Sequence, residues 1–225
     1  MHGYLSCKET FAKQVSYFSR FYRVTAIDFL GFGGSVPLTK AFSVSDYALW
    51  TKKALTLLGV QKPHVVAHSF GCRVAVKIAA NDPEFFDKIL LTGAAGVILK
   101  RSAWYTLKVK TYRFVRRFAP KFAERKFGSA EYKTLSPVMK ESYKKIVNED
   151  LRADARKIEN PVLLVQGRAD TTTPLREAQA YLKCLKRGRL IQMSGGHFAF
   201  MDEPLTFNLI AEEFFYGGTL AQSGG

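Results

Sequence analysis

Short apolar runs and longer amphipathic stretches take turns along this chain. The runs are Arg23–Asp28, His64–Ala67, Lys88–Gly93, Pro161–Gly167 and Arg189–Met193. Runs this short, with little polar alternation, suit strands covered on both faces. The stretches between them place apolar residues at three- and four-residue steps, the period of a helix with one buried side. The pattern predicts helices over Glu9–Phe21, Val44–Leu58, Val74–Ala80, Pro174–Leu185 and Leu205–Phe215. Ser43 is a capping residue for the second of these, with Asp46 three residues on. Asn81-Asp82-Pro83 stops the third. Strands alternating with helices imply an α/β class fold: a mostly parallel sheet flanked by helices.

The rhythm breaks near Gly96 and resumes at Asn160. Trp104, Leu107, Thr111, Phe114, Phe118 and Phe122 form an aromatic stripe in the interval, with Lys108, Lys110, Arg113, Arg116 and Arg117 mostly off it. Such a helix packs on the domain below, covers a pocket, or lies on a membrane surface. The predicted organisation is a core of residues 1–96 and 158–216, a basic helical cap over 97–157, and a flexible tail over 217–225.

Composition narrows the class. The chain has 225 residues, 47% of them apolar and 24% charged, ordinary for one folded domain with a large core. Charge is uneven: residues 100–157 hold 17 basic and 6 acidic side chains, a net +11 of the chain's +15. A block like this is a solvated face or a lure for anionic partners. With no recognisable nucleic-acid module, no nucleic-acid partner is expected; a weak contact with anionic membrane through the basic cap is the secondary expectation. Cys7, Cys72 and Cys184 show no metal spacing and read as free thiols. Together with four dispersed histidines they give no metal site and no cofactor. Met1-His2-Gly3 lacks the charged start and apolar run of a secretion signal, and no window matches a membrane span, so a cytoplasmic location is expected.

The candidate chemistry begins at Ala67-His68-Ser69-Phe70-Gly71. A buried strand ends there, the chain turns sharply, and a helix starts behind Ser69. This is the context of a nucleophile elbow, with small residues two before and two after the serine, and the helix aims its positive end at the site. A strand-to-helix turn that merely contains a serine fits equally well. Two further residues follow strands: Asp170, 101 positions after Ser69, and His197, 27 positions later. In an open parallel sheet these loops gather at one edge. A serine hydroxyl needs a histidine to take its proton, and the histidine needs a carboxylate to fix its tautomer. Asp202 is the rival acid; Asp170 is preferred because it follows a strand. His68 and His2 read as supports for the elbow and for its neighbouring loop, His64 as structural, and Asp28 as a turn cap.

The order serine, acid, histidine, with His2-Gly3-Tyr4, Asp28 through Gly34-Ser35, Gly167-Arg168-Ala169-Asp170 with Pro174, and Gly196-His197 before Glu203-Pro204, resembles the alpha/beta-hydrolase family over nearly the whole chain. The resemblance implies Ser69 as nucleophile, His197 as general base and Asp170 as orienting acid. It implies an oxyanion hole from the backbone N–H groups of Tyr4 and Phe70. The expected activity is hydrolysis of a small-molecule carboxylic ester or related acyl substrate through an acyl-enzyme. Two alternatives stand beside it: the same triad used for carbon–carbon cleavage or elimination on an acidic metabolite, and an inactive truncated hydrolase or membrane-surface binder. The pattern leaves oligomeric state open. The family's sheet also has a strand directly before the His-Gly loop, between the 23–28 and elbow strands, and two more before it. None is found here, so the chain reads as truncated at its N-terminus. The two flanking strands are then expected to close on each other or to receive another chain.

Overall fold

The computed structural model describes residues 1–99 and 134–217. A 3₁₀ turn, Lys8–Phe11, leads into α1 (Ala12–Phe18), and α2 follows at Val44–Leu57. Next come β1 (Val65–His68), α3 (Phe70–Asn81) and β2 (Ile89–Thr92). Then α4 (Pro137–Val147) and α5 (Arg152–Ala155) precede β3 (Val162–Gly167). The chain closes with α6 (Leu175–Leu182), β4 (Gly188–Met193), α7 (Ala199–Asp202) and α8 (Pro204–Tyr216). The strands form one parallel sheet in the order β1-β2-β3-β4.

Each strand divides its side chains between two cores, as the period of two requires. Val65, Ala67, Ile89, Leu91, Val162 and Leu164 face one, which holds Tyr47 of α2 and most of α3. Leu90, Leu163, Val165 and Met193 face the other, which holds Phe18 of α1 and Phe207, Ala211 and Phe215 of α8. The sheet is therefore sandwiched between helix layers, and β2 and β3 are buried along their whole length.

The predicted capping box is formed: Ser43 Oγ accepts from the Asp46 amide at 3.2 Å, and Asp46 Oδ2 accepts from the Ser43 amide at 2.7 Å. Helix α3 begins immediately behind Ser69, as the turn there implies, and so runs ahead of the apolar stretch that starts at Val74.

One expected element is corrected. Residues 23–28 do not form a strand. A strand is stable only in a ladder, and this segment has none: β1 is the outer strand of the sheet, and the two stretches have not closed onto each other. Between them lies a groove of about 570 Å³, lined on one side by residues 23–27 and on the other by His64, Val65 and Val66. Met1 meets the outer edge of β1, its amine donating to Val66 O at 2.8 Å and its carbonyl accepting from the His68 amide at 3.0 Å.

The stripe over Trp104–Phe122 and the tail beyond Gly217 lie outside the described residues. The end of the predicted insertion is described. Helix α4 packs over the segment that precedes α2: Ser142 Oγ accepts from the Phe42 amide at 2.8 Å, and a Cβ on Gly31 would lie 3.0 Å from the Met139 sulfur. Buried Arg73 on α3 donates to the carbonyls of Ile146 (2.9 Å) and Glu149 (2.8 Å), tying the end of α4 to the elbow helix.

Candidate active site

Parallel strands put their following loops at one edge of the sheet, and the three predicted residues lie there. Ser69 sits between β1 and α3 at φ 49° and ψ −106°, a conformation that costs a non-glycine residue about 1–3 kcal/mol. Its amide donates to Thr92 O at 3.1 Å, fixing the turn to the end of β2. Gly71, the small residue two after the serine, is held to that size by the N-terminal loop. A Cβ there would lie 2.5 Å from Met1 O and 2.8 Å from His2 O, so the N-terminal loop presses directly on the elbow helix.

Asp170 and His197 meet. His197 Nδ1 and Asp170 Oδ2 are 2.9 Å apart, and the Asp170 side chain is fully buried. Its Oδ2 also accepts from Thr173 Oγ1 (2.8 Å) and Gln166 Nε2 (3.0 Å). Its Oδ1 accepts from the amides of Thr172 (2.8 Å) and Thr173 (2.9 Å). Burial alone would push this carboxyl up. The bonds from His197 and Thr173 outweigh burial and hold it well below the usual carboxylate range. A carboxylate so clamped stays charged, and a charged acceptor keeps the proton of a neutral His197 on Nδ1. That leaves Nε2 free to act as a base.

The His197 ring rests over the end of β2, where a Cβ on Gly93 would come within 3.1 Å of it. It also packs on His68, with ring centroids 4.7 Å apart. His68 Nε2 donates to His197 O at 2.9 Å, so the residue preceding the serine holds the loop that carries the histidine. Burial, then the neighbouring His197, pull the His68 pKa down to about 3, which keeps it neutral. Ser69 thus lies beside the His68–His197 pair. Among the described residues its hydroxyl makes no hydrogen bond to His197.

The loop at residues 2–4 lies over the serine: a Cβ on Gly3 would be 3.5 Å from Ser69 Cβ. His2 braces this loop as expected. The Phe29 amide donates to its Nε2 at 3.0 Å, so Nδ1 carries the proton and donates to Gly3 O at 2.7 Å. Burial lowers the His2 pKa to about 4. The Tyr4 ring contacts Phe32, Phe70 and Tyr143, and its hydroxyl donates to Met139 O at 3.1 Å. The Phe70 amide stands at the start of α3, where no side chain caps the helix.

The remaining candidates are structural. Asp28 accepts from the Lys8 amide (2.6 Å), Lys8 Nζ (2.8 Å) and the Gly34 amide (3.0 Å), which pins the turn from Asp28 to Gly34. These bonds overcome burial and lower its pKa to about 2. Asp202 accepts from the Gly196 amide at 3.1 Å and does not reach His197, so the rival acid caps the histidine loop. His64 stacks on Phe215 at 4.9 Å and faces Asp87. Thr173, Gln166 and Arg73 were not legible. A threonine in Thr171-Thr172-Thr173-Pro174 and a glutamine inside an apolar run carry no signal of their own. No helix among the described residues is long and apolar enough to cross a membrane.

Comparisons with known proteins agree with this architecture. The profile of the alpha/beta hydrolase fold family matches residues 1–152, and that of TAP-like proteins matches 139–225. The chain is 26% identical over 217 residues to a 2-hydroxymuconate semialdehyde hydrolase of Pseudomonas putida, covering 85% of this chain and 76% of that protein. It is similar in fold to an esterase from Exiguobacterium antarcticum, with a TM-score of 0.75, 20% identity, and 96% and 90% of the two chains covered. A meta-cleavage product hydrolase from Pseudomonas fluorescens superposes with a TM-score of 0.72, at 21% identity over 95% and 88%. Parallel sheet, flanking helices, elbow and profile coincide, and the chain belongs to the alpha/beta hydrolase fold family.

Proposed function

We propose that this chain is a serine hydrolase that cleaves a carboxylic ester or related acyl compound through an acyl-enzyme. The observation that carries the reading is buried Asp170 at 2.9 Å from half-buried His197, on the same sheet edge as a serine held at positive φ. In the proposed cycle Ser69 Oγ attacks the substrate carbonyl as His197 Nε2 takes its proton. Charge collects on the carbonyl oxygen, where the amides of Phe70 and Tyr4 receive it with the positive end of α3 behind them. His197 returns the proton to the leaving alcohol, then activates water to free the acyl group. Asp170 stays ionised throughout and stabilises the imidazolium. The described end of the cap borders the site, since Tyr143 of α4 packs on Tyr4.

A fluorophosphonate probe tests the reading. It should label the intact chain on Ser69, as mapped by peptide mass spectrometry. Ser69→Ala should abolish labelling, and His197→Ala should slow it by orders of magnitude. Failure of the folded protein to label would overturn the assignment.

A further inference from the structure

The Tyr4 amide lies in a turn that needs outside support. The Ser6 amide donates to Gly3 O at 3.3 Å, which closes a turn over residues 3–6. Leu5, its third residue, stands at φ 57°. Turns fill a left-handed third position with glycine or asparagine, because other side chains crowd the backbone there. The Leu5 side chain is 45% exposed, so it does little to hold itself in place. A conformation of this kind persists only where its surroundings over-determine it.

The surroundings press on Tyr4 from two sides. On the core side its ring lies 4.9 Å from Phe32 and 5.7 Å from Phe70, the first residue of the elbow helix. On the other side stands α4. The Tyr4 hydroxyl donates to Met139 O at 3.1 Å, and the ring is tilted against Tyr143 at 5.2 Å. Helix α4 is itself anchored to the core. Ser142 Oγ accepts from the Phe42 amide, Lys145 Nζ donates to Ala41 O at 3.2 Å, and Arg73 holds the carbonyls of Ile146 and Glu149. The Tyr4 side chain is therefore gripped between the elbow helix and the described end of the cap.

We propose that Tyr143 is a positioning residue for the oxyanion hole: together with Met139 O it fixes the Tyr4 side chain, and through it the turn whose amide receives charge from the substrate carbonyl. This rests on the hydrolase reading above. It makes α4 act on the transition state as well as border the site. A side chain that only walls a substrate pocket changes ground-state binding. One that fixes an oxyanion donor changes the stabilisation of charge that develops during reaction.

The test uses the full chain and three variants: Tyr143→Ala removes the ring, Tyr143→Phe keeps it, and Tyr4→Phe removes only the bond to Met139 O. Stopped-flow kinetics with 4-nitrophenyl acetate separate substrate dissociation from the acylation rate. A trifluoromethyl ketone reports on the hole: Ser69 Oγ bonds to its carbonyl carbon, the carbonyl electron pair moves onto oxygen, and His197 keeps the serine proton. Tyr143→Ala should slow acylation roughly ten- to a hundredfold and weaken the ketone by a similar factor, with substrate dissociation within about threefold of the parent. Tyr143→Phe should stay within about threefold in all three, and Tyr4→Phe should slow acylation by about threefold or more. Amide exchange at Tyr4 and Leu5, followed by NMR, should quicken in Tyr143→Ala while the amides of β3 are unchanged. Weaker substrate binding with unchanged acylation would overturn the proposal, as would unchanged exchange at Tyr4 and Leu5, or a phenylalanine variant as slow as the alanine one. If Tyr143→Ala does not fold by circular dichroism, Tyr4→Phe decides, and parental acylation and ketone affinity in that variant would overturn it. A folded parent that gives neither burst nor fluorophosphonate label would refute the hydrolase reading and this proposal with it; an active parent with unaltered variants refutes this proposal alone.

Discussion

Replacing Asp170 by asparagine separates the charge of this residue from its shape. The carboxylate receives five donors: His197 Nδ1, Thr173 Oγ1, Gln166 Nε2 and the amides of Thr172 and Thr173. An asparagine oxygen in the Oδ1 place keeps the two backbone amides. Its NH₂ group then faces Gln166 Nε2 and Thr173 Oγ1. Thr173 can rotate to accept, but Gln166 can do so only by giving up its 2.8 Å bond to Thr173 O. Hydrogen bonds to a charged group contribute about 1.5–3 kcal/mol each, and one mismatched buried donor remains, so the folded state should lose roughly 2–4 kcal/mol. Catalysis should lose more. Facing an NH₂ donor, His197 must accept at Nδ1 and carry its proton on Nε2, the nitrogen that has to receive the serine proton. The expected fall in kcat/KM on a 4-nitrophenyl ester is roughly 10³–10⁴-fold, about 4–5.5 kcal/mol of transition-state stabilisation. Asp202→Asn is the control, since that side chain serves only the Gly196 amide and the turn around it; its rate should stay within about tenfold of the parent. Thermal unfolding and circular dichroism establish that both variants are folded. If folded Asp170→Asn loses less than about tenfold, Asp170 does not orient the base and the electrostatic argument fails.

Two other outcomes follow from the packing. Gly71→Ala drives a methyl group to within 2.5 Å of Met1 O; it should cost about 1–3 kcal/mol in urea unfolding and slow ester turnover, because the displaced loop carries the Tyr4 amide. A variant as stable and active as the parent would show that the loop does not press on the elbow. Stability should also fall on acidification. His2 and His68 have folded pKa values of about 4 and about 3, below the unfolded value near 6.5. Between those limits the unfolded chain binds more protons, so stability is full above about pH 6.5 and declines as pH drops, by up to about 1.4 kcal/mol per pH unit for each histidine. Urea midpoints between pH 7 and 5 measure this, with His68→Gln removing one histidine's share; a flat profile would contradict the buried, neutral assignment.

Much of this was legible because it is local. The run Pro161–Gly167 became β3 almost residue for residue, and Ser43 with Asp46 marked the start of α2. Strand-end placement of Ser69, Asp170 and His197 followed from the α/β rhythm, and the fold sets Asp170 against His197 while Asp202, closer in sequence, holds the Gly196 amide. What was not legible depends on partners distant in the chain. Arg23–Asp28 has the composition of a strand, yet a strand requires a neighbour, and composition is silent about whether one exists. The clamp from Thr173 and Gln166 is equally invisible, since neither residue type is distinctive until the fold brings both onto one carboxylate. The helix predicted over Glu9–Phe21 is a 3₁₀ turn followed by α1, which ends at Phe18.

The central claim is that Ser69 is acylated during turnover. Rapid mixing with 4-nitrophenyl acetate, followed by acid quench and intact-mass analysis, measures this directly. The account predicts a burst of 4-nitrophenolate, an acetyl adduct that maps to Ser69, and loss of both in Ser69→Ala. Steady hydrolysis with no burst and no adduct on Ser69, or an adduct that persists in Ser69→Ala, would contradict it.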